Sequence, residues 1–172
     1  MKFFFMFVGL PASGKSSALW TMVKSLLDDG VHMSNITVLS TDAYIEDIAK
    51  KCGKTYNEIF KNHIKDSTRI MYEALEKALA ADVEFVFWDQ TNLTSKSRKQ
   101  KFDKINKDEF ETYAIVFEKE SPTLLHNRMV ENRPDKIIGL DIIESMYNNF
   151  EDVTEDEGFD KIIRIKNGEK HE

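Results

Sequence analysis

The sequence is poor in the features that would set it apart from an ordinary globular chain. Cys52 is the only cysteine among 172 residues, which excludes an intrachain disulfide and a cysteine-built zinc site. That single thiol fits a reducing, cytoplasmic setting. No stretch approaches the ~18 apolar residues of a membrane span. Internal repeats and low-complexity linkers are missing, so a single domain over 1–172 is expected. An excess of positive charge is missing as well. Lys and Arg number 24 against 30 Asp and Glu, a net charge of −6, which favours solubility and argues against coating nucleic acid nonspecifically, though it leaves room for a small basic groove.

What is present begins at the N-terminus. Lys2 and the run Phe3-Phe4-Phe5-Met6-Phe7-Val8 resemble a short secretory leader, but cleavage there would cut the segment that follows, and a strand buried on both faces explains the run better. That segment, Gly9-Leu10-Pro11-Ala12-Ser13-Gly14-Lys15-Ser16, is a complete G-x-x-x-x-G-K-[ST] phosphate-binding loop. Gly9 and Gly14 let the backbone turn and bring its N–H groups close to a β-phosphate. Lys15 sets a charge against the β- and γ-phosphates, and the Ser16 hydroxyl is a ligand for Mg²⁺. A helical pattern over 16–27 follows, so a helix N-terminus faces the anion. The expected nucleotide contacts are Gly9, Pro11, Ala12, Ser13, Gly14, Lys15, Ser16 and Ser17.

Strand-like runs recur at 2–8, 36–40, 83–88, 112–118 and 161–166, with helical patterns between them. This alternation indicates an α/β fold with a mainly parallel sheet. Thr55-Tyr56-Asn57-Glu58 is a capping-box pattern. From 67 to 80, Ile70, Met71, Ala74, Leu75, Ala78 and Leu79 recur at helical spacing and read as core. Ser121-Pro122 reads as the start of another helix, which Pro134 stops near Asn132 or Arg133. A helix over 140–150 presents Ile142, Ile143, Met146, Tyr147 and Phe150 for packing. Two segments read as peripheral: a helical insertion over 43–64, and an acidic loop over 151–158 whose spacing does not match an EF-hand.

Phosphoryl transfer needs more than a phosphate loop: an acid to support the metal, a group to orient the acceptor, and cations for the transferred charge. In open α/β sheets these belong at the carboxyl ends of strands. Asp89 follows the third strand, as a metal-supporting acid does. Asp42 follows the second and can take a proton from an acceptor hydroxyl; the alternative for either is a helix N-cap. Arg128 and Arg133 have the fork that binds phosphate oxygens in pairs. On one continuous helix they would diverge by about 140°, but Pro134 lets Arg133 leave the helix and turn toward the site. The alternative is two solvated arginines. Lys96, Arg98, Lys99, Lys101, Lys104 and Lys107 form a basic segment, either a path for a nucleic acid backbone or a solvated helix face. Trp88, Tyr44, Phe60 and Tyr56 are either base-stacking residues or core.

Taken together, these residues resemble the polynucleotide 5′-hydroxyl kinase family of P-loop phosphotransferases. The resemblance rests on the phosphate loop, Thr41-Asp42 with Tyr44, Asp89-Gln90-Thr91-Asn92-Leu93 with Arg98, His126-Asn127-Arg128 with Arg133, and Met146, Tyr147, Phe150-Glu151 and Glu157-Gly158-Phe159. It implies a three-layer α/β/α sandwich with a five-stranded parallel sheet and a helical lid over 121–138. It also implies ATP and Mg²⁺, and transfer of the γ-phosphoryl group to a 5′-hydroxyl end of DNA or RNA. Carried over by position, Lys15 and Ser16 hold phosphate and metal, Asp89 supports the metal, Asp42 is the general base, and Arg128 and Arg133 stabilise the transferred group. Ile45 stands where the family has an arginine for the acceptor's phosphate. A small hydroxylated acceptor, such as a nucleoside or sugar, is the alternative; a non-catalytic ATP-binding module is the third reading.

Overall fold

The computed structural model describes residues 1–166. Five strands, β1 (Lys2–Val8), β2 (Ile36–Leu39), β3 (Phe85–Trp88), β4 (Phe110–Phe117) and β5 (Lys161–Ile165), form one sheet in the order β2-β3-β1-β4-β5. Every pairing is parallel. The five strands lie where the sequence expects them, within two residues at each end. Helices α1 (Lys15–Asp28), α2 (Thr41–Cys52), α3 (Tyr56–Ala80), α4 (Ser95–Phe102), α5 (Pro122–Asn132) and α6 (Leu140–Asn148) lie between the strands, with short 3-10 turns at Met33–Asn35 and Glu155–Glu157.

The aromatic run of β1 explains the three layers. Successive side chains of a strand face opposite ways. Phe4, Met6 and Val8 point to one side, against Met71 and Leu75 of α3 and Phe102 of α4. Phe7, with the partly buried Phe3 and Phe5, points to the other, against Leu19 and Val23 of α1. A strand covered on both faces must be apolar at nearly every position. β1 is central, and the chain crosses from one side of it to the other between β3 and β4. That switch opens a crevice beyond the carboxyl end of β1, where open α/β sheets bind ligands.

The helix caps agree with the sequence. Thr55 and Glu58 form a complete capping box on α3, and Ser121 caps α5 with Pro122 in its first turn. Two expectations need correction. The insertion over 43–64 is helical, but it does not end at 64: its second half continues without a break into the helix expected from 67, giving the 25-residue α3. No proline or glycine interrupts it, and its apolar face simply changes partner, from Tyr56 and Ile59 against α2 to Met71 and Leu75 against the sheet. Ile142 does not pack; it is 49% exposed, and Ile143 takes the buried position on α6.

The acidic loop is mostly exposed, as expected, but specific contacts tie it down. Glu157 accepts from Arg98 at 2.5 and 2.7 Å, Glu151 accepts from the Ser95 N–H at 2.7 Å, and Val153 is buried in the main core. Charge density hid these contacts, since each carboxylate that points inward meets a partner far away in the chain.

Candidate active site

The phosphate loop joins β1 to α1. Gly14 has φ +95°, a left-handed conformation that glycine adopts without steric cost. Ala12, at φ 58°, adopts it against the usual preference of a residue with a Cβ. Gly9 is required for a different reason: a Cβ there would lie 2.8 Å from Ser13 Oγ and 3.0 Å from Phe117 Cβ. Its backbone N–H donates to Thr91 O at 3.0 Å, tying the loop to the segment after β3.

Helices α2, α3, α4 and α5 are each capped by a side chain, Ser40, Thr55, Thr94 and Ser121. Helix α1 is not. The N–H groups of its first turn have no carbonyl within the helix, so at Lys15, Ser16 and Ser17 they form an anion-binding end. Lys15 is 8% exposed. Its Nζ donates to Gly9 O at 2.9 Å, Leu10 O at 2.6 Å and Ser13 Oγ at 3.4 Å. Burial pulls its pKa down to about 8, against the opposing charges of Asp89 and Asp42 and with a small push from Lys136. A lysine, both carboxylates and a second ammonium therefore share one electrostatic neighbourhood.

Ser16 Oγ donates to Asp89 Oδ2 at 3.4 Å. Burial raises the Asp89 pKa, Asp42 raises it further, and Lys15, Ser16 and Lys136 oppose the rise. A hydroxyl and a desolvated carboxylate are a hard-oxygen pair that suits Mg²⁺, which keeps most of its waters and needs only one or two protein oxygens. Among the described residues no cluster of three His, Cys, Asp or Glu forms a larger metal cage. The residues present thus fit a metal shared with a nucleotide.

Asp42 is not the cap of α2. Ser40 is, accepting from the Ala43 N–H at 3.2 Å. Asp42 sits in the first turn with its side chain 47% exposed. Its Oδ1 accepts from the Tyr56 hydroxyl at 2.6 Å and its Oδ2 from Lys136 Nζ at 2.6 Å. Lys136 also donates to Glu46 Oε1 at 3.0 Å. Burial, then the adjacent Asp42 carboxylate, raises the Tyr56 pKa, so its hydroxyl remains a donor. Neither Lys136 nor Glu46 is evident from the sequence alone. The one available signal is the i, i+4 spacing of Asp42 and Glu46, which puts both carboxylates on one face of α2 and asks for a cation.

The two arginines part company. Arg128 Nη1 donates to Ala12 O at 2.8 Å, and its fork grips Glu120 at 2.8 and 2.9 Å. It therefore touches the phosphate loop. Arg133 leaves the helix, as Pro134 suggests, but turns to Glu46 at 3.1 Å and Asp135 at 3.3 Å. It faces α2 rather than the loop, because those two carboxylates surround it.

The basic segment is not a continuous path. Arg98 is fully buried. Lys101 binds Asn92 Oδ1, and burial pulls its pKa down to about 8. Lys99 pairs with Asp103, and the chain runs from Lys104 and Lys107 into the start of β4, at the sheet end opposite the phosphate loop. Trp88 and Tyr56 are core residues, which removes them as open stacking platforms. Asn92, at φ 49° and 1% exposed, donates to Phe7 O at 2.7 Å, a second tie between the Asp89–Leu93 segment and β1.

Residues 4–153 match the family model described as AAA domain. The chain belongs to that family. No curated protein matches the sequence significantly. Among solved structures, the chain is similar to a protein of Chloroflexus aurantiacus described only provisionally as a kinase, with TM-score 0.67, 14% identity, and coverage of 96% of this chain and 85% of that one. It is also similar to a gluconokinase from Sinorhizobium meliloti, with TM-score 0.57, 16% identity, and coverage of 98% and 84%. A fungal RNA kinase gives TM-score 0.54 and 17% identity over 96% of this chain, which spans 38% of that larger protein. At these identities the likeness establishes the fold: a five-stranded parallel sheet of the P-loop kinase type.

Proposed function

We propose that the protein is a Mg²⁺-dependent phosphotransferase that moves the γ-phosphoryl group of ATP to a hydroxyl, with a 5′-hydroxyl end of DNA or RNA as acceptor. The observation that carries this reading is Asp42. It is relieved of capping by Ser40, half open to solvent, and within electrostatic reach of Lys15 and Asp89. A module that only binds ATP needs no such carboxylate. The acceptor class comes from the resemblance over the phosphate loop, the Asp89–Leu93 segment and the arginine-bearing helix; the likeness to an RNA kinase fold is compatible with it.

In this reading Lys15 and the first-turn N–H groups of α1 bind the β- and γ-phosphates. Ser16 and Asp89 would hold Mg²⁺, which would neutralise phosphate charge. Asp42 orients the acceptor hydroxyl and takes its proton as the new O–P bond forms. The bond from the γ-phosphorus to the β,γ-bridging oxygen breaks, and its electron pair leaves with ADP. Arg128, anchored to Ala12 O, supplies a guanidinium beside the loop.

A small hydroxylated acceptor is the second reading, and specific observations favour it. Lys136, which pairs with Asp42, and Arg133, which shares Glu46 with it, are matched by Glu46, Asp42 and Asp135. Ile45 is fully buried and cannot touch an acceptor. A gluconokinase also shares the fold. The deciding experiment is labelled ATP and Mg²⁺ with a panel of 5′-hydroxyl DNA and RNA oligonucleotides, 3′-nucleotides, nucleosides and sugars. Labelling of oligonucleotides is expected; labelling of small molecules alone overturns the polynucleotide acceptor. Asp42→Asn is expected to lower transfer by about 10²–10⁴-fold with ATP affinity nearly unchanged. Transfer near the parent rate would remove Asp42 as the base.

A further inference from the structure

Asp42 is held by two elements besides its own. Tyr56, in the first turn of α3, donates to one carboxylate oxygen, and Lys136, in the segment between α5 and α6, donates to the other. That segment is itself pinned. Asn57 Nδ2 donates to Ile137 O at 2.7 Å, the Ile138 N–H meets Met129 Sδ at 3.3 Å, and the Lys136 N–H donates to Arg133 O at 2.9 Å. The Lys136 ammonium lies 4.4 Å from the centre of the Tyr56 ring with its side chain 15% exposed. Asp42 and Glu46 face it and supply the opposite charge. Without it those two carboxylates, one turn apart on α2, repel each other.

A carboxylate has about four lone-pair sites. Tyr56 and Lys136 use two and fix the plane of the group, leaving the others for an acceptor hydroxyl. The segment that carries Lys136 is continuous with α5, which brings Arg128 to the phosphate loop. One piece of chain thus touches both the donor side, through Arg128 and Ala12 O, and the acceptor side, through Lys136 and Asp42.

Resting on the reading of Asp42 as the base, we infer that Lys136 is a positioning residue: it orients Asp42 only while the segment over 133–138 is docked on α2, and so couples docking of that segment to activation of the acceptor. Glu46 is the second anchor of the same ammonium, and Tyr56 holds the opposite oxygen.

The test uses the full chain and compares Lys136→Met, Lys136→Arg and Tyr56→Phe with the parent. For Lys136→Met, kcat at saturating ATP and acceptor is expected to fall about tenfold or more, with the calorimetric ATP Kd changed less than about twofold. A guanidinium can bridge the same two carboxylates, so Lys136→Arg should recover most of the loss. Tyr56→Phe keeps the ring and should lower kcat without altering ATP affinity. Amide exchange supplies a readout independent of turnover: the amides of 136–138 should exchange faster in both Lys136→Met and Asp42→Asn. Unchanged kcat in Lys136→Met, or unchanged exchange in Asp42→Asn, overturns the coupling. If the parent protein phosphorylates no acceptor in the panel, the proposed function fails separately, and exchange alone then decides whether the latch exists.

Discussion

Replacing Arg98 with methionine should unfold the protein far more readily while removing little from its surface. The guanidinium is fully buried and Glu157 nearly so, with side-chain exposures of 0% and 10%. All its nitrogens are engaged: Nε and Nη2 grip the Glu157 carboxylate at 2.7 and 2.5 Å, Nη1 reaches the carbonyls of Asn92, Leu93 and Glu151, and Nη2 also reaches that of Asp152. Methionine fills the stem but strips the Glu157 carboxylate of its cation and strands three carbonyls, since Leu93 O keeps the Glu151 N–H. Breaking one side of a buried, hydrogen-bonded ion pair costs about 3–5 kcal/mol, a large part of the ~5–15 kcal/mol that holds a typical domain folded. The assay is urea unfolding followed by circular dichroism. The midpoint should drop steeply with little change in slope, since the surface exposed on unfolding is nearly the same. Glu157→Leu added to Arg98→Met should recover part of the loss, because the stranded charge is removed with its partner. A loss below about 1 kcal/mol, within the range of surface charges, would refute the reasoning. A normal midpoint combined with weakened oligonucleotide binding would restore the basic segment as a nucleic acid path.

Two further outcomes follow from the site and the caps. The Lys15 pKa is pulled down by burial to about 8 in the free protein, and bound phosphates must raise it. Below pH 8 the lysine is protonated in both states and ATP affinity is flat. Above pH 8 the free protein must take up a proton to bind, so affinity should fall by up to about tenfold per pH unit until the bound-state pKa is reached. Calorimetry across pH 7 to 9.5 checks this, and a flat profile removes the protonated Lys15 from phosphate binding; Lys15→Met should bind weakly and without this dependence. Thr55→Ala removes the capping box at the start of α3 and should cost about 1 kcal/mol by thermal or urea unfolding; no measurable loss would mean that α3 is held by packing alone.

The parts of the fold that the sequence states clearly are the parts whose causes are local. The phosphate loop declares itself because Gly14 needs a left-handed backbone and Lys15 and Ser16 must follow it directly. The strands are legible because both faces of β1, β3 and β4 are covered and polar residues are scarce there. Thr55-x-x-Glu58 and Ser121-Pro122 mark helix starts through contacts within four residues.

The surroundings of Asp42 were hidden because its contacts are distant in the chain. Lys136 meets Asp42 across 94 residues, and nothing in Pro134-Asp135-Lys136 marks that lysine as paired. Charge misled at Arg98, because a charged residue reads as solvated until its partner is known. Arg98 and Glu157 stand 59 residues apart. By itself, then, the sequence determined a parallel α/β sheet, a nucleotide loop and two carboxylates at strand ends, because backbone geometry and hydrophobic periodicity act over a few residues. Only the tertiary structure decided which charges are structural and which face the site. Burial of an ion depends on the partner that folding brings to it, and no short stretch of chain contains both.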